Sequence, residues 1–118
     1  MTHEKQMRKE QMTEYVKSLI AKHGAGHIIS REKFIKGFQH IYKGVSESGI
    51  IPTDFCYNRV NAGTDWDNYP CLLEYLQKGL YKCLGLNYVY DGPILHQQKG
   101  KNKTVVGHCV NGKRTRIN

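Results

Sequence analysis

The sequence predicts an α+β fold, with three N-terminal helices followed by a small antiparallel β-sheet. Up to about residue 61 the apolar side chains recur at helical spacing; after Pro70 they alternate as in strands. Turn signals at Gln77-Lys78-Gly79 and Asn111-Gly112 then divide the second half into hairpins. The 118 residues suit one domain, taken as residues 12–118 behind a flexible or partly helical arm over residues 1–11. A composition of 39% hydrophobic and 24% charged residues is too apolar for disorder. The length allows a real core without disulfide staples.

The first helix is read from Met12, Tyr15, Val16, Leu19 and Ile20, which fall on one face at i, i+3, i+4, i+7 and i+8. Gly24 and Gly26 end it. Ser30 is the N-cap of the second helix, Glu32 sits in its first turn, and Phe34, Ile35, Phe38, Ile41 and Tyr42 form its apolar face. Gly37 interrupts that face and would allow a close helix crossing. The third helix is expected over residues 53–61, from the start signal Pro52-Thr53-Asp54. Its Phe55, Cys56 and Val60 would face inward, its Tyr57, Asn58 and Asn61 outward, with Arg59 at the border. "CLLEYLQKGLYKCLG" reads as two strands joined near Lys78. "NYVYDGPILHQQ" is extended, with an Asp-Gly turn at 91–92. "TVVGHCV" is a further strand leading into the Asn111-Gly112 hairpin.

Three helices, the third short, followed by a β-hairpin, is the order of a winged helix-turn-helix domain. The stretches "IIPTDFCYNRVN", "LLEYLQKGLYKCLGLNYVYDGPI" and "VVGHCVNGK" are moreover similar to a small domain of bacterial and phage proteins. The resemblance covers residues 13–113 and implies a winged-helix type of fold, with no settled activity. The link between helices two and three, "GVSESGII", is longer than a strict helix-turn-helix allows.

Charge points to the same class of partner. Lys and Arg number 18 against 10 acids, a formal net charge of +8, which favours a polyanion. Residues 97–118 carry Lys99, Lys101, Lys103, Lys113, Arg114 and Arg116 and no acid. The expected function is therefore binding of nucleic acid, with duplex DNA favoured. Tyr57, Asn58 and Asn61 would read the major groove, Asn by paired bonds to adenine. Thr53 and Arg59 would lie near phosphates, and Lys78 and Lys82 would be wing contacts. The tail cations Lys99, Lys101, Lys103, Arg114 and Arg116 would add affinity without reading sequence. Asn58, Asn61 and Arg59 have plainer alternatives. Asn61 could cap the chain before Ala62-Gly63, and Arg59 could pair with Glu74.

Enzymatic activity and cofactors are not expected. The chain has no phosphate-binding glycine loop, no G-x-S-x-G and no H-E-x-x-H. Asp65 and Asp67 flank Trp66 in what reads as a surface loop with the indole turned inward. The cysteines, Cys56, Cys71, Cys83 and Cys109, are spaced by 15, 12 and 26 residues and form no C-x-x-C pair. Cys56 and Cys83 read as small core residues, and only His96 with His108, if they meet across a hairpin, would favour a metal. The polar N-terminus "MTHEKQMRKEQMTEY" is not a signal peptide, and no apolar run approaches the roughly 18 residues of a membrane span. A cytoplasmic protein without membrane contact is expected. The rival class is a phage- or mobile-element-type inhibitor or adaptor, binding a host nucleic-acid-handling or defence protein through Tyr69, Tyr75, Tyr81, Tyr88 and Tyr90.

Overall fold

The computed structural model describes residues 2–61, 68–97 and 100–117, with side chains from residue 6 onward. Helix α1 spans Thr2–His23, strand β1 Ile28–Ser30 and helix α2 Arg31–Ile41. Two 3₁₀ turns follow, Glu47–Gly49 and Pro52–Phe55. The remaining strands are β2 (Leu73–Gln77), β3 (Leu80–Cys83), β4 (Gly92–Gln97), β5 (Lys103–Val110) and β6 (Lys113–Arg116). They form two antiparallel three-stranded sheets, one ordered β1-β3-β2 and the other β4-β5-β6.

The two helices pack on the first sheet. Met12, Tyr15 and Val16 of α1 meet Phe34, Ile35 and Phe38 of α2 over Ile29, Leu73, Tyr81 and Cys83 of the strands. The Tyr15 ring stands edge-on to Phe34 and Phe38, with centroids 4.9 and 5.5 Å away, and its hydroxyl donates to the Phe34 carbonyl at 2.8 Å. A Cβ at position 37 would overlap that hydroxyl, so Gly37 is what lets the helices cross this closely. Ser30 caps α2, its Oγ accepting from the Lys33 amide at 3.2 Å. The second sheet has a smaller core of its own, Tyr57, Val60, Ile94 and Cys109.

The strand readings around Lys78 and Asn111 agree with this topology. β2 and β3 pair on either side of Lys78-Gly79. Asn111 and Gly112, at φ 52° and 80°, make the two-residue turn between β5 and β6.

The fold class requires correction. The described residues hold no N-terminal three-helix unit followed by one sheet, and so no winged helix-turn-helix. The third helix stops after Phe55, and the chain beyond is extended. The reason is competition for its backbone. Cys56 bridges to Leu73 and Arg59 to Leu95, both in parallel register. The amide of Tyr57 donates to the Leu73 carbonyl at 2.8 Å, and that of Val60 to the Leu95 carbonyl at 3.0 Å. These bonds to two different strands replace the i→i−4 bonds a helix would make. Elsewhere, α1 begins at Thr2, upstream of the periodicity that starts at Met12. Ile28–Ser30, just before α2, is a strand paired with Leu80–Lys82. Gly92 opens β4 opposite Cys109 instead of turning a hairpin.

Candidate nucleic-acid interface

The segment Cys56–Val60 joins the two sheets, and its side chains are spent largely on that join. Tyr57 is buried in the second core. Its hydroxyl donates to the Gly85 carbonyl at 2.7 Å and accepts from the Tyr88 amide at 3.0 Å. Burial pushes its phenol up to about 12. Asn58 acts as a surrogate strand residue: its Nδ2 donates to the Tyr75 carbonyl at 2.9 Å and its Oδ1 accepts from the Tyr75 amide at 2.8 Å. Thr53 Oγ1 lies 2.9 Å from the Tyr81 hydroxyl, and Asn61 hydrogen-bonds the Asp54 carboxylate. The expected readers Tyr57, Asn58 and Asn61, and Thr53, expected near a phosphate, are thus occupied with internal bonds.

Arg114 also differs from expectation. It is buried, not a tail cation in solvent. Its Nη1 donates to the Cys56 carbonyl at 3.0 Å and its Nη2 to the Tyr69 carbonyl at 2.9 Å. The Asn111-Gly112 turn sets this placement, pairing Arg114 with the buried Cys109. Its neighbours Lys113 and Arg116 are exposed.

What remains is a basic cleft between the sheets. Arg59 lies over Tyr75, with its Cζ 4.1 Å from the ring centre, and its Nη2 donates to Gln97 Oε1 at 3.1 Å. Gln97 in turn donates to the Lys101 carbonyl at 3.0 Å and pairs across the strands with Lys103. Lys78 stands at the tip of the β2–β3 turn. Together Asn58, Arg59, Tyr75, Lys78, Gln97 and Lys103 line a cleft of about 430 Å³. No acidic side chain lines it among the described residues. Four residues singled out from the sequence, Asn58, Arg59, Lys78 and Lys103, therefore converge, for a different reason than helix geometry. Lys82 is drawn aside by Glu74, 3.9 Å away and directly opposite on β2, the acid that was the alternative partner for Arg59. Lys101 is exposed beside the cleft, and Lys99 lies outside the described residues. Sequence reasoning missed Gln97, findable as the cross-strand neighbour of Lys103, and named Tyr75 only as a residue for protein contact.

His96 and His108 do not meet. They pair with Thr104 and Pro93 respectively, and His96 Nδ1 lies 3.1 Å from the Val60 carbonyl. Cys56 and Cys83 are core residues, as expected, with Cys83 pushed up to about 11 by burial. Of the tyrosines proposed as a contact surface, Tyr81 is buried, Tyr69, Tyr75 and Tyr90 are partly covered, and Tyr88 is exposed. The loop carrying Asp65, Trp66 and Asp67 lies outside the described residues. No helix among the described residues is long and apolar enough to cross a membrane.

Residues 8–116 match the model of a domain of unknown function, DUF7225. The chain belongs to this family. It is also similar to the Uncharacterized protein YnaC of Bacillus subtilis (strain 168), at 38% identity over 92 residues. The match takes in 77% of this chain and 34% of the relative, so the domain spans about a third of that protein's length. No solved structure matches.

Proposed function

We propose that the domain binds nucleic acid through the cleft between its two sheets. The observation that carries this is the convergence of Arg59, Lys78 and Lys103 on one cleft without an acid among its described lining. The formal net charge of +8 adds long-range attraction for a polyanion. Arg59 is held over the Tyr75 ring and by Gln97, so its guanidinium loses little freedom when a phosphate arrives. The Lys103 end of the β4–β5 pair, beyond the reach of β6, is a two-stranded ribbon. Ribbons of this kind fit the major groove of a duplex, which is the favoured substrate. Lys101, Lys113 and Arg116, all exposed, extend the positive surface and position without reading bases.

The test is a fluorescence anisotropy titration with duplex DNA, single-stranded DNA and RNA over a range of salt. Binding should weaken linearly in log affinity against log salt. Lys78→Gln and Lys103→Gln should each flatten that slope by about one while leaving the fold intact. Unchanged slopes in both variants would remove the cleft from the interface.

A second reading, an inhibitor or adaptor that binds another protein, is favoured by one observation. Leu86, Tyr88, Val89 and Val110 are exposed large apolar residues, Val89 at 69%. Absence of any nucleic-acid binding at low salt would favour it.

A further inference from the structure

Two histidines outside the basic cleft meet at the surface. The rings of His23 and His27 are stacked, with centroids 4.1 Å apart and planes inclined by 14°. His23 closes α1 and is exposed; His27, partly exposed, leads into β1. Neither lines the cleft. The turn between them is held at both ends. Gly24 and Gly26 take φ of 97° and 87°, a region that side chains disfavour. The Gly24 amide donates to the Ile20 carbonyl at 2.7 Å and ends the helix. The Gly26 amide donates to the Cys83 carbonyl, and the Cys83 amide to the His27 carbonyl, each at 2.8 Å, which fastens His27 to β3. Two imidazoles thus stand in contact on fixed backbone, open to solvent. Burial, and then the neighbouring His23, hold the His27 imidazole below its ordinary 6.5. Both causes favour the neutral ring, the form that ligates metal. The carbonyl end of α1 adds attraction for a cation.

We propose that His23 and His27 form a two-nitrogen site for a divalent transition-metal ion of the zinc and nickel kind, with water in the remaining positions. The class of ion follows from the donors. Neutral imidazole suits zinc, nickel and cobalt, whereas magnesium and calcium take oxygen ligands. Two metal–nitrogen bonds of about 2.0–2.1 Å at a tetrahedral angle need nitrogens about 3.4 Å apart. Rings stacked at 4.1 Å reach that spacing by rotating the exposed His23 until the nitrogen edges coincide and tilting it slightly inward. Among the described residues no group of three or more histidine, cysteine or acidic side chains could hold a metal. The site is therefore open and exchanges its ion, unlike the closed four-ligand centres that hold a fold together. A bound ion would tie the end of α1 to the residue that leads into β1 and is bonded to β3.

Calorimetric titration of the full chain, free of any polyhistidine tag, with nickel, zinc, cobalt, manganese and magnesium chlorides tests this. Nickel should bind more tightly than cobalt, and cobalt more tightly than manganese. Magnesium should not bind. His23→Gln and His27→Gln should each weaken nickel and zinc by about tenfold or more, because the second nitrogen acts at high effective concentration only when both rings are present. Zinc should raise the melting temperature of the parent and of neither variant. In proton NMR, substoichiometric nickel should broaden the ring signals of His23 and His27 and spare those of His40, His96 and His108. Melting without metal shows whether each variant keeps its fold; should His27→Gln lower the midpoint, the exposed His23→Gln decides alone. Absence of nickel and zinc binding would overturn the proposal. So would affinity that His23→Gln leaves unchanged, or broadening centred on other histidines. The cleft is tested through Lys78 and Lys103 with nucleic acid, so the two sites can fail separately.

Discussion

The two sheets are held by different means. The first is covered by helices and rests on large buried side chains, Tyr15, Phe34, Phe38 and Tyr81 among them. The second has Tyr57, Val60, Ile94 and Cys109, and two of those four come from the connector between the sheets. Apolar burial suffices for the first. The second depends on backbone bonds from Tyr57 and Val60 and on the buried Arg114. A region stabilised by few, directional contacts opens more readily than one stabilised by a broad apolar core. The basic cleft lies along the boundary between the two.

The sharpest way to break this contrast is Tyr57→Ala. Removing a buried aromatic should cost about 3–5 kcal/mol. Amides of β4–β6 should lose hydrogen-exchange protection while α1 and α2 keep theirs. Phe34→Ala should cost a similar amount but expose the helices as well. Equal loss of protection in both sheets for Tyr57→Ala would make the molecule one cooperative unit.

Arg114→Met comes next. The carbonyls of Cys56 and Tyr69 would lose their charged donors, at about 3 kcal/mol in denaturant melts, while net charge falls by only one. A variant as stable as the parent, with weaker binding to DNA, would return Arg114 to the role of a phosphate contact.

Asn58→Ala separates the role expected from sequence from the one observed. Loss of two bonds to the Tyr75 backbone should lower stability by about 1–2 kcal/mol. Base discrimination per folded molecule should not change. A stable variant with altered base preference would restore Asn58 as a reader.

The smallest effect concerns pH. The Asp54 carboxyl is raised above its ordinary 3.8 by burial, so the folded state holds the proton more tightly than the unfolded. Its contribution is full below that ordinary value and is lost as pH rises through the folded value. Hydrogen bonds from Asn61 and the charge of Arg114 oppose the shift without cancelling it. Parent stability relative to Asp54→Asn should therefore fall as pH rises upward from about 4. A flat difference would show that Asp54 titrates as in the unfolded chain.

Local order was readable in the sequence wherever local bonds decide it. The apolar spacing from Met12, the Ser30 cap and the Asn111-Gly112 turn each involve residues a few positions apart, and each matches the structure. The failure falls on residues 56–60. Pro52-Thr53-Asp54 does start a helical turn, yet strands far along the chain claim the next five residues. Spacing within "CYNRV" carries no trace of Leu73 or Leu95. Charge counting failed at Arg114 for a related reason, since composition does not tell a solvated arginine from a buried one. The hairpin register does, because it sets Arg114 opposite Cys109. Convergence of Arg59, Lys78 and Lys103 was likewise beyond reach, as it needs the position of one sheet against the other.

Arg114 has a consequence for how the molecule is made. As the chain leaves the ribosome, the helices and the first sheet have all their partners by Cys83. The connector at 56–60 does not: its carbonyl at Cys56 waits for a side chain made 58 residues later. Until β6 is synthesised, this strip of backbone and the exposed edge of β5 stay open to other chains. The newborn protein thus passes through a stage in which one half is finished and the other still seeks a clasp. Slow translation between Cys83 and Arg114 would prolong that stage.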